Sequence, residues 1–278
     1  MTTATTAPVT APTTTAAAYP DADGRIGLRG HLRHIGALTR RNLMRIKADP
    51  ESMFDAVLMP IIFTVLFVYV FGGAISSQGQ YKQWLIPGLL GTTGMNLAMA
   101  VGTGLNTDFQ TGVMDRFRTL PIGRSSVLIG KMLAEACRGL VSYAVLISFA
   151  LILGLQLKTG VLGVLGAVGL SLLFGMSLVW ISMLLGLVLR SAQAVQGIGM
   201  LVLMPLQFGS SIFAPPSTMP GWLQAFTKYN PLSNLADACR NLINGGPLAH
   251  SVTLVLIWSV GITAITAPLA VARFRKRT

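Results

Sequence analysis

The chain has 278 residues, of which 52% are hydrophobic and only 11% are charged, with a mean hydropathy of +0.64. A soluble domain normally carries about 25% charged residues, so this composition excludes an ordinary soluble protein. The formal net charge of +12 is compatible with nucleic-acid binding. We predict no nucleic-acid partner, however, because the basic residues are distributed as expected for residues that set the orientation of a membrane protein.

The N-terminal segment is dominated by Thr, Ala and Pro and carries no charge over residues 1–20. It lacks the basic start and hydrophobic stretch of a signal peptide. We predict a disordered cytoplasmic tail over residues 1–30, followed by a single transmembrane domain over residues 31–278.

A basic amphipathic helix is predicted over residues 31–49. Its apolar face includes Leu32, Ile35, Leu43 and Ile46, and arginines and lysines occupy the rest. Such a helix directly before a membrane span is typical of an interfacial helix that lies among anionic lipid headgroups. The Asp49-Pro50 pair predicts its end.

Six uncharged segments follow, and crossing the hydrocarbon core takes about 20 apolar residues. The predicted fold class is therefore an all-α polytopic membrane protein with six transmembrane helices. The predicted spans are 55–75, 85–106, 130–155, 161–189, 192–213 and 250–272. The short connection after Arg190 predicts that the fourth and fifth spans are antiparallel neighbours.

The basic residues predict the orientation of these spans. With the N-terminus inside, 17 basic residues fall on cytoplasmic segments and four on outer segments. The outer four are Lys82, Lys158, Lys228 and Arg240. The positive-inside rule then predicts a multi-pass protein of the cell membrane with both termini in the cytoplasm.

The second predicted span is unusually polar. It carries Thr92, Thr93, Asn96, Thr103 and Asn106, with glycines between them. Small and polar residues in lipid normally face protein, where they allow close packing and interhelical hydrogen bonds. Two interpretations remain open: a tight helix–helix seam, or the wall of a transport path or dimer interface.

Charged pairs are predicted at both membrane boundaries. Lys131, Glu135 and Arg138 are spaced so that they can pair along one helix face. Asp237 and Arg240 can pair in the same way in the outer segment 214–246. The prolines and aromatic residues of that segment predict two short amphipathic helices at the outer interface.

The densest charged segment of the chain lies between two apolar spans, at residues 107–124, and contains MDRFRTLPIGR. Charges at the bilayer centre cost about 2.5–3.5 kcal/mol each, so this segment must reach water. An aromatic side chain between arginines predicts a docking surface that faces the cytoplasm.

Catalytic and metal-binding motifs are missing from the sequence. The stretch from Gly123 to Met132 has six residues between its glycines rather than the four of a phosphate loop. The two cysteines and three histidines show no metal-ligand spacing. We therefore predict that the chain has no metal site, no disulfide and no enzymatic activity. If it performs transport against a gradient, we expect a partner protein to supply the energy.

With these features, the chain resembles the permease subunit of type-2 ATP-binding-cassette exporters. Within that family it most resembles the subgroup of daunorubicin-resistance-like drug exporters. The resemblance rests on the amphipathic start, six spans, the inner loop MDRFRTLPIGRSSVLIGKML and the outer FAPPSTMPGWLQAFTKYNPLSNLADACRNLINGG. It runs from about Leu32 to the C-terminus.

The resemblance implies a homodimer, or a close heterodimer, of permeases carried on two separate ATPase subunits, which bind the ATP and Mg²⁺. It assigns ATPase coupling to Asp115, Arg116, Phe117 and Arg118, with Pro121 ending the coupling element. It also implies that the second and fifth spans line the path. Candidate lining residues are Asn96, Met99, Thr103, Gln193, Gln196 and Gln207.

The function that this resemblance implies is export of a hydrophobic or amphiphilic drug, antibiotic or lipid-like compound. Export of a polysaccharide or teichoic-acid precursor is the alternative within the superfamily. A secondary transporter would need an acidic residue for ion coupling inside the spans, and an enzyme a catalytic constellation, neither of which the sequence offers. A channel remains a further alternative.

Overall fold

The computed structural model describes residues 28–72, 80–114 and 124–277, and within these ranges the chain is helical and contains no β-strand. The helices are α1 Leu28–Ala48, α2 Pro50–Leu66, α3 Gln80–Gln110, α4 Arg124–Ile152, α5 Gly160–Val188, α6 Ala192–Phe208, α7 Gly221–Tyr229, α8 Pro231–Asn244 and α9 Ala249–Arg277. A π-helical turn over Phe67–Phe71 continues α2, and a 3₁₀ turn, Pro216–Thr218, precedes α7.

Four helices in the described part of the chain are long and apolar enough to cross a membrane: Gln80–Gln110, Ser126–Ile152, Gly160–Val188 and Ala249–Arg275. Two shorter apolar helices, Ala56–Val70 and Ala192–Phe208, accompany them. The prediction of an all-α polytopic membrane protein is confirmed by this set.

Two predicted spans end earlier than expected, for local reasons. The predicted span 192–213 is wrong at its end, because α6 stops at Phe208 and the chain turns at Gly209, whose N–H donates to the Pro205 carbonyl. The predicted span 130–155 also runs too far. The structure ends α4 at Ile152, and Gly154 then takes φ +83°, a left-handed conformation that favours glycine.

Helix α3 lies at the centre of the bundle. It packs most extensively against α5, and also contacts α4, α6 and α8. Leu85, Leu90 and Leu105 of α3 and Phe174 and Met183 of α5 are fully buried in this core. Because α1 and α2 pack on α4, and α9 packs on α5, every long element is tied directly or indirectly to the α3–α5 pair.

The short helices of the outer segment do not both lie at a surface, contrary to the prediction. Helix α7 keeps Trp222 and Tyr229 exposed. Helix α8 instead buries one whole face, including Leu235 and Cys239, against α3, α5 and α9. An amphipathic helix can cover its apolar face with protein as well as with lipid, and here the neighbouring helices supply the protein surface.

Candidate functional site

Helix α3 has two polar faces, which differ in how closely other helices cover them. The first face is a close seam with α5. A β carbon on Gly94 would lie 3.2 Å from the α carbon of Gly175, and one on Gly102 would lie 2.6 Å from the carbonyl oxygen of Ser182. The glycines of α3 therefore let two backbones approach each other, as small residues do at membrane helix interfaces.

Asn106 belongs to the same seam. Its side chain is fully buried, and its Nδ2 donates to the carbonyl oxygens of Gly186 at 2.9 Å and Leu189 at 2.8 Å. These carbonyls lie in the last turn of α5 and just beyond it, where the helix itself supplies no partner. Asn106 thus holds the end of α5 against α3.

The second face of α3 carries the predicted path residues. Asn96 is exposed, and Met99 and Thr103 are half-buried one and two turns further along the same face. The Thr103 hydroxyl donates back to the Met99 carbonyl at 3.0 Å, which satisfies it within the helix. An exposed amide in an apolar span needs water or protein beside it, since lipid offers no hydrogen bonds.

Helix α6 lies beside this face and is itself mostly uncovered. Only Val195 and Gly199 are buried, and Gly199 receives the Met99 side chain of α3. The other predicted path residues divide by exposure: Gln193 and Gln196 are exposed, and Gln207 is half-buried. The structure therefore brings the α3 and α6 candidates to neighbouring helices that touch through Met99 and Gly199.

One end of the bundle, here called the Asp108 end, holds a cluster of ion pairs. Asp108 is buried at the end of α3 and contacts Arg45 of α1 and Lys131 of α4. Glu135 and Arg138 form a separate pair on α4, at 2.6 Å. The direct ion pair of Lys131 is thus with the carboxylate of another helix, while Glu135 pairs with Arg138 as the spacing predicts.

A cleft of about 400 Å³ opens beside this cluster. Its walls are α1 on one side and α3 with α4 on the other, and Thr103 is among the lining residues. The cleft therefore continues the polar face of α3 towards the Asp108 end of the bundle.

At the opposite end, here called the Arg240 end, Arg240 is buried in a complete set of partners. Its guanidinium donates to Asp237 and Ser211 side chains and to the carbonyls of Trp84, Ser211 and Ile212, at 2.6–3.2 Å. The guanidinium carbon also lies 3.7 Å from the centre of the Trp84 ring. Burial lowers the pKa of Arg240 to about 10, while Asp237 opposes this shift, so the side chain stays charged at neutral pH.

The apolar face of α1 is partly covered by protein. Leu38 is buried, whereas Leu32 is exposed and Ile35, Leu43 and Ile46 are half-buried. A β carbon on Gly130 of α4 would lie 2.8 Å from the β carbon of Leu38, so this glycine admits α1. The prediction missed Leu38, although its position one turn after Ile35 signalled it.

The residues predicted for ATPase coupling, Asp115, Arg116, Phe117, Arg118 and Pro121, lie outside the described residues. The flanking elements are described: α3 ends at Gln110 and α4 begins at Arg124. The Asp108 end of the bundle is therefore the end from which this segment departs and to which it returns.

The sequence profile of the ABC-2 type transporter family matches residues 33–244, which is well over half of the chain. The daunorubicin resistance ABC transporter permease protein DrrB1 of Streptomyces coeruleorubidus is 38% identical over 238 residues, or 85% of this chain and 84% of that protein. A probable doxorubicin resistance permease, DrrC of Mycobacterium tuberculosis, is 26% identical over 86% of this chain and 88% of that protein. The putative transport permease ycf38 of Porphyra purpurea is 24% identical over 75% of this chain and 73% of that protein.

Proposed function

Because the chain belongs to the ABC-2 type transporter family, we propose that it is the permease subunit of an ATP-driven exporter of hydrophobic or amphiphilic, drug-like compounds. The 38% identity to a permease named for daunorubicin resistance supports the substrate class. As permeases of this family work with ABC ATPase subunits, the chain is a transport subunit and not an enzyme. Its ATP and Mg²⁺ are bound by the partner ATPase.

The proposed topology has six spans, with α2 and α6 crossing in addition to the four long apolar helices. Residues 1–30 form a cytoplasmic tail, and residues 31–278 form one transmembrane domain that contains the interfacial helix. The Asp108 end faces the cytoplasm. The clustering of Arg45, Lys131, Arg138 and Arg190 near this end, and of Lys82 and Lys158 at the other, supports the orientation.

The observation that carries the transport proposal is the exposed face shared by α3 and α6. Asn96, Gln193 and Gln196 are exposed there, in helices that cross the membrane in the proposed topology. We place a second copy of the chain against this face, so that the two copies enclose a path that these amides line. A dimer also removes the unfavourable contact between amide groups and lipid.

Energy enters through residues 107–124. Asp115, Arg116, Phe117 and Arg118 dock on the ATPase, and Pro121 ends the docking element. Closure of the two ATPase subunits on ATP moves this element and shifts the permease between its inward-open and outward-open states. The transported compound shifts that equilibrium only by its different affinity for the two states.

Transport by purified components tests the proposal. The permease is reconstituted in vesicles with an ABC ATPase encoded beside it, and ATP-dependent movement of daunorubicin is measured. The matched controls are an ATPase lacking its phosphate-loop lysine and the Arg116→Ala, Phe117→Ala double variant, both of which should abolish movement. Movement by the permease alone, or unchanged movement in the double variant, would contradict the assignment.

Export of a polysaccharide or teichoic-acid precursor is the second candidate, since ABC-2 permeases form a broad family. The same vesicles distinguish the two, because a lipid-linked saccharide would then stimulate ATP hydrolysis and daunorubicin would not. An ion-coupled secondary transporter would instead respond to an ion gradient in the absence of ATP.

A further inference from the structure

The carboxylate of Asp108 joins three helices at a single point. Its Oδ1 accepts a hydrogen bond from Nη1 of Arg45 on α1 at 2.7 Å. Its Oδ2 accepts one from Nζ of Lys131 on α4 at 2.5 Å. Because Asp108 sits in the last turn of α3, one side chain links α1, α3 and α4 at the point where residues 115–123 leave and re-enter the bundle.

The link to Lys131 is built into the packing of α3. A β carbon on Gly104 would lie 3.2 Å from Nζ of Lys131, one turn before Asp108. Glycine at this position therefore leaves space for the lysine side chain to lie across the surface of α3 and reach the carboxylate. The Lys131 side chain is only 12% exposed, so water does not compete strongly for its charge.

The link to Arg45 differs in exposure. The Arg45 side chain is 56% exposed, and ion pairs with an exposed partner contribute little and break readily. The cleft of about 400 Å³ lies directly beside this link, between Asn42 and Ile46 of α1 and Thr103 and Thr107 of α3. Helix α1 packs on α4, but towards α3 it has open space and this weak ion pair.

We propose that Asp108 is a positioning residue for energy coupling, with one fixed link and one releasable link. The buried pair with Lys131 makes α3 and α4 move together, so that the segment between them is carried on a rigid frame. The exposed pair with Arg45 passes the movement of this frame to α1 and opens when the cleft changes shape. This inference rests on the proposed function, because it concerns how ATP hydrolysis in the partner reaches the permease.

The test measures transport and ATP hydrolysis in the same vesicles. Arg45→Gln removes the releasable link, and Arg190→Gln is the matched control, because Arg190 is an exposed arginine at the same end of the bundle. We expect Arg45→Gln to assemble with the ATPase and to hydrolyse ATP within about 2-fold of the parent, as expected when only an exposed ion pair is lost. We expect the amount transported per ATP hydrolysed to fall by about 5-fold, which corresponds to the upper end of what an exposed ion pair contributes.

Two further variants separate positioning from folding. Arg45→Lys keeps the positive charge at this position, and we expect it to retain most of the coupling that Arg45→Gln loses. Asp108→Asn removes the negative charge from both links, and we expect a loss of coupling at least as large. If Asp108→Asn fails to assemble, the comparison of Arg45→Gln with Arg45→Lys still tests the proposal, because both variants leave the buried Lys131 link intact.

The outcomes are distinguishable from those that test the proposed function. If the unmodified complex shows no ATP-dependent transport, both proposals are overturned. If it transports and Arg45→Gln keeps the parent ratio of transport to hydrolysis, only the role of Asp108 and Arg45 is overturned. A loss of transport and hydrolysis in equal proportion would also overturn it, since that result indicates a purely structural contact.

Discussion

Gly102 and Ser182 bring the backbones of α3 and α5 into direct contact. A β carbon on Gly102 would lie 2.6 Å from the Ser182 carbonyl oxygen and 2.8 Å from its β carbon. One turn further along α5, a β carbon on Gly186 would lie 2.5 Å from the Gly102 carbonyl oxygen. Neither helix can accept even a methyl group here without moving the backbone of the other.

Replacing Gly102 with alanine should therefore destabilise the protein. Alanine ordinarily favours a helix over glycine, but overpacking a close contact costs about 1–3 kcal/mol. We expect Gly102→Ala to lower the free energy of unfolding by this amount in a denaturant titration in detergent. Gly169→Ala is the control on α5, because no atom lies within 4 Å of its added β carbon. Equal stability of the two variants would contradict the seam.

The two asparagines of α3 should behave differently. Asn106→Ala removes two hydrogen bonds to the end of α5, and interhelical hydrogen bonds in membranes contribute about 0.6 kcal/mol each. We expect it to lower the free energy of unfolding by about 1–2 kcal/mol, since the carbonyls it leaves lie at a helix end. Asn96→Ala is the matched control, because Asn96 is exposed. A loss of stability at Asn96 that equals the loss at Asn106 would argue against this division of α3.

Arg240 should not be replaceable by lysine. A lysine keeps the charge but cannot present the planar set of donors that reaches Asp237, Ser211 and three carbonyls. Asp237 is 45% exposed, so the main loss in Arg240→Ala is the set of buried acceptors left without a donor, which costs about 1–3 kcal/mol. We expect Arg240→Lys to lose about half of this amount. Thermal unfolding measures both, and Lys228→Ala, at an exposed position on α7, serves as the control.

The two cysteines should differ in reactivity. Burial raises the pKa of the Cys239 thiol to about 11, and its Sγ lies 3.2 Å from the Ser171 hydroxyl. Because the thiolate is the reactive form, Cys239 should resist maleimide at pH 8 in the folded protein and react after denaturation. Cys137→Ser provides the background for this measurement, since Cys137 is exposed. Rapid labelling of Cys239 in the folded protein would contradict the buried position of α8.

The burial of α8 was not predictable from its sequence. Its amphipathic pattern, with Asp237 and Arg240 on one side, is the same whether the apolar face meets lipid or protein. Only the packed bundle shows that Leu235 and Cys239 are covered by α3 and α5. The partner of Lys131 was hidden for a similar reason. Helical spacing finds neighbours within one helix, whereas Asp108 lies 23 residues away on another.

The division of polar residues on α3 also needed the structure. The sequence predicted that glycines, threonines and asparagines of this helix face protein, but a single helix has no marker for which neighbour covers which side. The contact with α5 assigns Gly102 and Asn106 to a seam, and the exposure of Asn96 leaves the other face for a different partner.

By itself the sequence determined that this is a helical membrane protein, because long uncharged segments and charged loops are properties of the chain that need no partner to interpret. Its match to the family profile, and not these segments, assigned it to the ABC-2 type. Only the tertiary structure decided which charges meet, which helix face is a seam, and where α6 and α8 lie. The reason is physical: hydrophobicity along a chain is a local quantity, whereas an ion pair or a close backbone contact depends on the distance between residues far apart in sequence.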